Sequence, residues 1–211
     1  MVSRLKEVLG NILPLSHNAF IRGRQILDFV LIANECLDSH LKFDEPGVLC
    51  KLNIEKAYDN VNWKFLMYLL ERCGFGEKWR NCIFFCISMV QFSILVNGHP
   101  SGFFSSSEGL RQGDPFSLLL FVIAMEALSK LLDRAVEGNY PEGFTMSSCA
   151  HDSLMVSHFS FADDMLIFCW KDLQQIFNLK CVLLCIEAMS GSKINLGKSD
   201  LVPVESVPGV D

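Results

Sequence analysis

The ten residues Phe159-Ser160-Phe161-Ala162-Asp163-Asp164-Met165-Leu166-Ile167-Phe168 constrain the fold more than any other stretch, because two adjacent acids interrupt a run of strand formers. The apolar segments on either side read as the arms of a hairpin with both carboxylates at its tip. Neighbouring carboxylates in such a place repel each other unless a cation stands between them, and hard oxygen ligands of this kind suit Mg2+ or Mn2+. An ordinary polar turn is the alternative, since aspartate is common in turns through hydrogen bonds to its own backbone. These ten residues alone leave both readings open.

The rest of the chain alternates in type around loops marked by Glu45-Pro46-Gly47, Asn97-Gly98-His99-Pro100 and the stretch Asn139 to Gly143. Gln25 to Leu41 carries Ile26, Phe29, Val30, Ala33, Cys36 and Leu37 at helical spacing. Val48 to Ile54 predicts a short strand, and Asn62 to Cys73 a helix that stops at Gly74. Phe92 to Asn97, with the Gly98 turn, predicts a second hairpin running into Phe103 and Phe104. Asp114 and Pro115 signal a helix start, a side-chain oxygen to cap free amides followed by a proline whose φ suits the first turn. The helix that follows, to about Ala135, is apolar all round through Leu118 to Ala127 and is expected to be buried. Strands and helices mixed in this way predict an α+β domain with a largely antiparallel sheet packed on helices.

Half of the 211 residues are hydrophobic, enough for one well-buried core in one globular unit. The longest uninterrupted apolar run, Leu118 to Met125, falls far short of the roughly 20 residues that span a bilayer, so no membrane segment is expected. Met1 to Leu15 lacks the apolar core of a secretory signal, which predicts an intracellular protein, cytoplasmic or nuclear and not secreted. The nine cysteines are odd in number and lie in apolar segments, which favours buried free thiols over disulfides. Cys82 and Cys86, like Cys181 and Cys185, are four apart, the spacing of one helix face rather than of a zinc knuckle, and are expected to pack inward. A formal charge of −6 argues against a free-standing nucleic-acid binder, because phosphate contacts need lysine and arginine. The objection weakens if the chain is one part of a larger protein whose basic surfaces lie elsewhere.

A second segment, Lys51-Leu52-Asn53-Ile54-Glu55-Lys56-Ala57-Tyr58-Asp59-Asn60-Val61-Asn62-Trp63, resembles the first palm motif of reverse transcriptases from long interspersed (non-LTR) retrotransposons, in wording closest to plant elements. Gly109-Leu110-Arg111-Gln112-Gly113-Asp114-Pro115 resembles the next motif of that family, Phe161 to Asp164 its metal-binding hairpin, and Ser190-Gly191-Ser192-Lys193-Ile194-Asn195 the motif that closes the palm. Upstream, Asn18 to Asp28 resembles its fingers motif. Five motifs in family order, from about Arg4 to Ser199, make coincidence improbable.

The resemblance implies a right-hand polymerase, fingers and palm, that takes an RNA template, a DNA primer and dNTPs. It divides residues 1–200 into fingers at about 1–46 and 64–107 and palm at about 47–63 and 108–200, with 201–211 as a C-terminal stub. The family's thumb, endonuclease and ribonuclease H regions have no counterpart in the sequence, so part of a longer polyprotein is expected. The implied chemistry uses two divalent ions, Mg2+ or Mn2+, that stabilise both ends of an in-line displacement. Three carboxylates normally hold them, and Asp163 and Asp164 match two. The third position carries Asn53, expected close to Asp163 on a neighbouring strand. An amide brings no charge and cannot bridge two cations, and Mg2+ is unforgiving about ligands. Glu55 is displaced by about two rises of 3.3 Å along the same face and is no substitute.

Further roles carry over on matching positions. Tyr58 matches the aromatic beneath the incoming sugar, with a core tyrosine as the plain alternative. Gln112 and Gly113 match residues near nucleotide and template, while Arg111 is equally explained as a solvated charge. Arg24 matches a fingers arginine near phosphates, and Lys193 a lysine able to protonate pyrophosphate, with an exposed strand lysine as its alternative. Asp59 reads as support at the strand's exit. His17, Glu108 and Ser192 depart from the family's usual glutamine, basic residue and leucine. The resulting expectation is an RNA-directed DNA polymerase domain impaired at Asn53 and by the missing thumb. The alternatives are a non-catalytic remnant that binds nucleic acid or a protein partner, and a fragment with no role whose exposed apolar surface makes it aggregate.

Overall fold

A computed structural model describes residues 2–12, 25–138, 143–147 and 153–204. Strand β1 (Gly47–Glu55) is the centre of the main sheet. On one side it pairs with β7 (Asp164–Trp170), which in turn pairs with β6 (His158–Phe161). Along its other side β1 is shared, Gly47 to Lys51 by β9 (Asp200–Val204) and Ile54 and Glu55 by β8 (Lys193–Ile194). Every pairing is antiparallel, as the sequence predicts. The boundary drawn at residue 200 is too early: Leu201 to Val204 lie in β9, part of the sheet and not a stub, because their backbone satisfies the open edge of β1.

Alternation along β1 assigns each sheet face a different cover. Val48, Cys50, Leu52 and Ile54 are buried with Met165, Ile167 and Cys169 of β7. They share one core with three helices, α3 (Trp63–Arg72), α4 (Glu77–Ser88) and α5 (Pro115–Glu137). Leu5 and Leu9 of α1 (Val2–Ile12) and Leu179 and Leu183 of α6 (Leu173–Ser190) complete it. On the opposite face Leu49, Phe168 and Val204 pack with Ala33 and Cys36 of α2 (Ile26–Phe43) and with Phe144 and Val156. The last two belong to a small hairpin, β4 (Phe144–Ser147) and β5 (Ser153–Val156). This second cover reaches only the first half of β1. Lys51 and Glu55 stay exposed, which leaves the end of that face carrying Asn53 open.

The helix starts follow from their caps. Asn62 accepts from the amides of Lys64 and Phe65 at 2.8 and 3.2 Å, and Asp114 from those of Phe116 and Ser117 at 3.3 and 3.2 Å, with Pro115 in the first turn. Helix α5 is long and apolar enough to cross a membrane by length and composition, yet 67% of its most apolar stretch is buried inside the protein. It is the central helix of the core. His158 of β6 joins α5 to the sheet: its Nε2 shares a hydrogen bond with Ser129 Oγ, and its Nδ1 one of 3.0 Å with Ser157 Oγ.

At the surface one expectation is met and one fails. Strand β2 (Gln91–Val96) and β3 (His99–Ser105) form the predicted hairpin, but as a separate two-stranded sheet with every residue exposed. Cys82 and Cys86 on α4, and Cys181 and Cys185 on α6, are exposed rather than packed. Each pair does lie four apart on a helix, but on the side turned away from the core, which α4 meets through Ile83 and Ile87 and α6 through Leu179 and Leu183. Cys36, Cys50 and Cys169 are buried as expected, and burial pushes their thiols up to about 11, 12 and 11.

Candidate active site

The two acids stand where β6 turns into β7. Phe161 and Asp164 are cross-strand partners, so the loop is only Ala162 and Asp163, the shortest common hairpin connection. Such a loop needs positive φ, and Ala162 supplies it at 54°. The carbonyl of Asp163 accepts from the Ile54 amide at 3.2 Å, which fastens the turn to β1. Asn53 lies directly opposite Asp164 in the ladder, and its Nδ2 donates to Asp164 Oδ1 at 2.9 Å. The sequence reading brings Asn53 to Asp163. The strand pairing is as expected, but the side-chain partner is Asp164, because the two-residue turn lifts Asp163 out of the ladder.

Residue 53 is held on both sides of its own backbone. Its amide donates to Ser199 Oγ at 3.1 Å, and its carbonyl accepts from the Asn195 amide at 2.8 Å. The neighbouring Ile194 amide donates to Glu187 Oε1 at 2.6 Å, so α6 anchors the short strand that closes this corner. Sequence reasoning missed Ser199 and Glu187. Their contacts are to backbone amides far away in sequence, and no spacing rule reports them.

The loop after β1 carries Tyr58 and Asp59. Tyr58 is half-buried and stacks on Phe121 with ring centroids 4.5 Å apart. Burial, and after it the negative charge of Asp163, raises its phenol above the usual value. Its carbonyl accepts from the Leu110 amide at 2.7 Å, and the Val61 carbonyl from that of Gly109 at 2.8 Å. Gly109 has φ 84°, and a Cβ there would stand 2.5 Å from the Asp59 carbonyl oxygen, so only glycine lets the two loops touch. Asp59 contributes backbone to this contact, in keeping with a supporting role. Arg111, Gln112 and Gly113 follow in the same segment and are exposed ahead of α5. Gly113 has φ 83° with open space around its missing Cβ. Lys193 is an exposed residue of β8 opposite Glu55. Arg24, with most of the fingers motif, lies outside the described residues.

A cleft of about 470 Å3 opens beside this region, lined by Asp59, Trp63, Phe92, Phe104, Glu108 and Arg111 among others. Asn53, Asp163 and Asp164 do not line it. They occupy an open sheet end, a shape suited to a long ligand lying across it rather than a small one enclosed. Ser129, His158 and Asp133 have the residue types of a hydrolytic triad, but Ser129 is 0% exposed and no substrate could reach it.

A pair of divalent ions does not fit the donors present. Among the described residues no group of three or more His, Cys, Asp or Glu could hold a metal ion. Asp163 and Asp164 offer carboxylates, but the third group at this corner is an amide whose N–H already occupies an Asp164 oxygen. An ionised carboxylate is only an acceptor, so the amide must turn its nitrogen and not its oxygen toward Asp164. In that orientation Asn53 repels a cation.

Comparison with known proteins agrees with the motif order. The family described as Reverse transcriptase (RNA-dependent DNA polymerase) matches residues 1–207. An uncharacterized mitochondrial protein of Arabidopsis thaliana is 36% identical over 115 residues, 54% of this chain and 90% of that protein. An uncharacterized 149 kDa protein of transposon TX1 from Xenopus laevis is 24% identical over 199 residues, 93% of this chain and 14% of its own length. The retrovirus-related Pol polyprotein of type-1 retrotransposable element R2 from Popillia japonica is 27% identical over 122 residues, 58% of this chain and 19% of its own. The chain therefore spans less than a fifth of either transposon protein. Among solved structures, telomerase from Candida albicans in complex with a fragment of telomeric RNA has a TM-score of 0.69 at 15% identity, covering 94% of this chain and 33% of that one. Apo telomerase from Candida tropicalis truncated from its C-terminal domain gives 0.65 at 14%, covering 99% and 41%. At these identities the likeness establishes the fold: fingers and palm of a right-hand polymerase, mixed helix and antiparallel sheet.

Proposed function

Because the chain belongs to the reverse transcriptase (RNA-dependent DNA polymerase) family, as a domain of the non-LTR retrotransposon kind, we propose that it is an RNA-directed DNA polymerase domain whose catalytic centre is impaired by Asn53. One observation carries the second half: the Asn53 amide donates to Asp164 where a third carboxylate would be needed. Asp163 and Asp164 are the remaining acids of a centre that in this family uses Mg2+ or Mn2+. In this reading Tyr58 lies under the incoming sugar, with Arg111, Gln112 and Gly113 beside nucleotide and template. By their motif positions Lys193 is the proton donor to pyrophosphate and Arg24 the arginine assigned to the phosphates. RNA template, DNA primer and dNTP are the partners. The open sheet end supports a polymeric ligand, and the free thiols support a reducing setting in cytoplasm or nucleus.

The same amide favours a second reading, a non-catalytic remnant that keeps the fold and grips nucleic acid or a protein partner. Two assays on the purified chain decide. Filter binding to an RNA–DNA hybrid tests the grip, and primer extension by the Asn53→Asp variant tests the chemistry. Hybrid binding with weak extension by Asn53→Asp is the expected result. Binding without any extension by that variant, in Mg2+ or Mn2+, favours the remnant, and absence of hybrid binding overturns the nucleic-acid reading altogether.

A further inference from the structure

The corner formed by Asn53, Asp163 and Asp164 is complete as it stands. We propose that Asn53 does more than fail to bind metal: its amide N–H takes the place of the cation, so that this palm is assembled and stable without divalent ions. The inference rests on the reading of residue 53 as the altered member of a carboxylate site.

Cross-strand geometry carries the argument. Residues 53 and 164 are direct partners in an antiparallel pair, a position at which side chains meet and like charges destabilise. Two acids there, with Asp163 as the next residue, would put three carboxylates on one corner with nothing to offset them. The amide removes one negative charge and supplies a donor at 2.9 Å to the acid that faces it. Its backbone is fixed at the same time through Ser199 Oγ and the Asn195 amide, so the side chain is presented to Asp164 by a held strand rather than by chance. A cation entering between Asp163 and Asp164 would have to displace this N–H. The two occupants therefore exclude each other, and Asn53→Asp alone should make the stability of this corner depend on metal.

The test needs neither template nor activity. Thermal unfolding of the unaltered chain, Asn53→Asp and Asn53→Ala is followed in EDTA and in millimolar Mn2+, and Mn2+ binding is titrated by electron paramagnetic resonance. The unaltered chain should melt at the same temperature with and without Mn2+. Asn53→Asp should melt about 2–4 °C lower in EDTA, as loss of about one stabilising contact gives for a chain of this size, and recover in Mn2+. Its Mn2+ affinity should exceed that of the unaltered chain by about tenfold or more, the scale of one added charged ligand. Asn53→Ala, which loses the donor and gains no charge, should soften slightly in EDTA and recover less in Mn2+ than Asn53→Asp does.

Binding of Mn2+ by the unaltered chain as tight as by Asn53→Asp would overturn the proposal, as would an Asn53→Asp melting curve in EDTA equal to that of the unaltered chain. If Asn53→Asp does not fold, the unaltered chain still decides against Asp163→Ala: a melting temperature raised by millimolar Mn2+ in the unaltered chain and not in Asp163→Ala refutes the proposal, and one that Mn2+ leaves unmoved in both supports it. Loss of hybrid binding would count against the polymerase reading and leave these melting curves unmoved.

Discussion

Gly109 shows how much of the site depends on single residues that carry no chemistry. Its φ of 84° and its contact with the Asp59 carbonyl join the loop after β1 to the segment leading into α5, and with it Tyr58 to Arg111 and Gln112. Gly109→Ala combines an unfavourable backbone conformation with a clash against backbone that cannot swing away. It should lower unfolding free energy by about 2 kcal/mol or more, read from the urea midpoint. A change under half of that would mean the two loops are not pressed together. At this scale the acids were legible, because Asp163 and Asp164 interrupt an apolar run that could only be a hairpin. Which acid faces Asn53 was not. That choice is set by a turn of two residues rather than four, and sequence pattern does not count turn residues. Ser199 and Glu187 were invisible for a different reason: each binds a backbone amide, and any sequence offers an amide everywhere.

Among the elements, β1, α3, α5 and the two hairpins were legible through caps, turns and periodicity. Helix α6 was not, because it is apolar on all sides and so gives no sign of which face is covered. Only Leu179, Leu183 and Ser190 of it are buried, while Leu173, Phe177 and Leu184 are exposed along with both of its cysteines. Strand β9 escaped notice because Pro203 sits inside it, and proline usually argues against a strand. The orientation of α4 and α6 makes a direct prediction. Brief alkylation of the native chain, mapped by mass spectrometry, should label Cys82, Cys86, Cys181 and Cys185 and spare Cys36, Cys50 and Cys169. The latter are shielded, and their raised pKa leaves almost no thiolate. Equal labelling of Cys50 and Cys181 would contradict the packing of the sheet on its helices.

For the whole molecule, the sheet is tied to its central helix by a buried histidine. His158 is lowered to about 4 by burial, against about 6.5 when unfolded, and the half-exposed Asp133 carboxylate 3.9 Å from Nδ1 does not offset this. A histidine with a depressed folded pKa binds its proton more readily in the unfolded chain. Its contribution is therefore complete above about pH 6.5 and is lost as pH falls toward about 4, by on the order of 3 kcal/mol. Asp133, itself raised by burial, works in the opposite direction and more weakly because solvent reaches it. His158→Gln should flatten the fall of the urea midpoint between pH 6.5 and 4.5, and an unchanged slope would remove His158 as its cause. The family was legible because five motifs keep their order, while the proposed impairment rests on one residue, Asn53, an amide where the proposed two-ion centre would need a charge. Loss of one such stabilising group typically costs about 10² to 10³ in rate, and loss of an ion more. Restoring aspartate leaves the departures from the family pattern at Glu108 and Ser192 in place, so it should recover only weak activity. Primer extension on an RNA template by the unaltered chain, Asn53→Asp and Asp163→Ala, in Mg2+ and in Mn2+, tests this most directly. The account predicts little or no extension by the unaltered chain and a weak gain in Asn53→Asp. Robust extension by the unaltered chain that disappears in Asp163→Ala would contradict it.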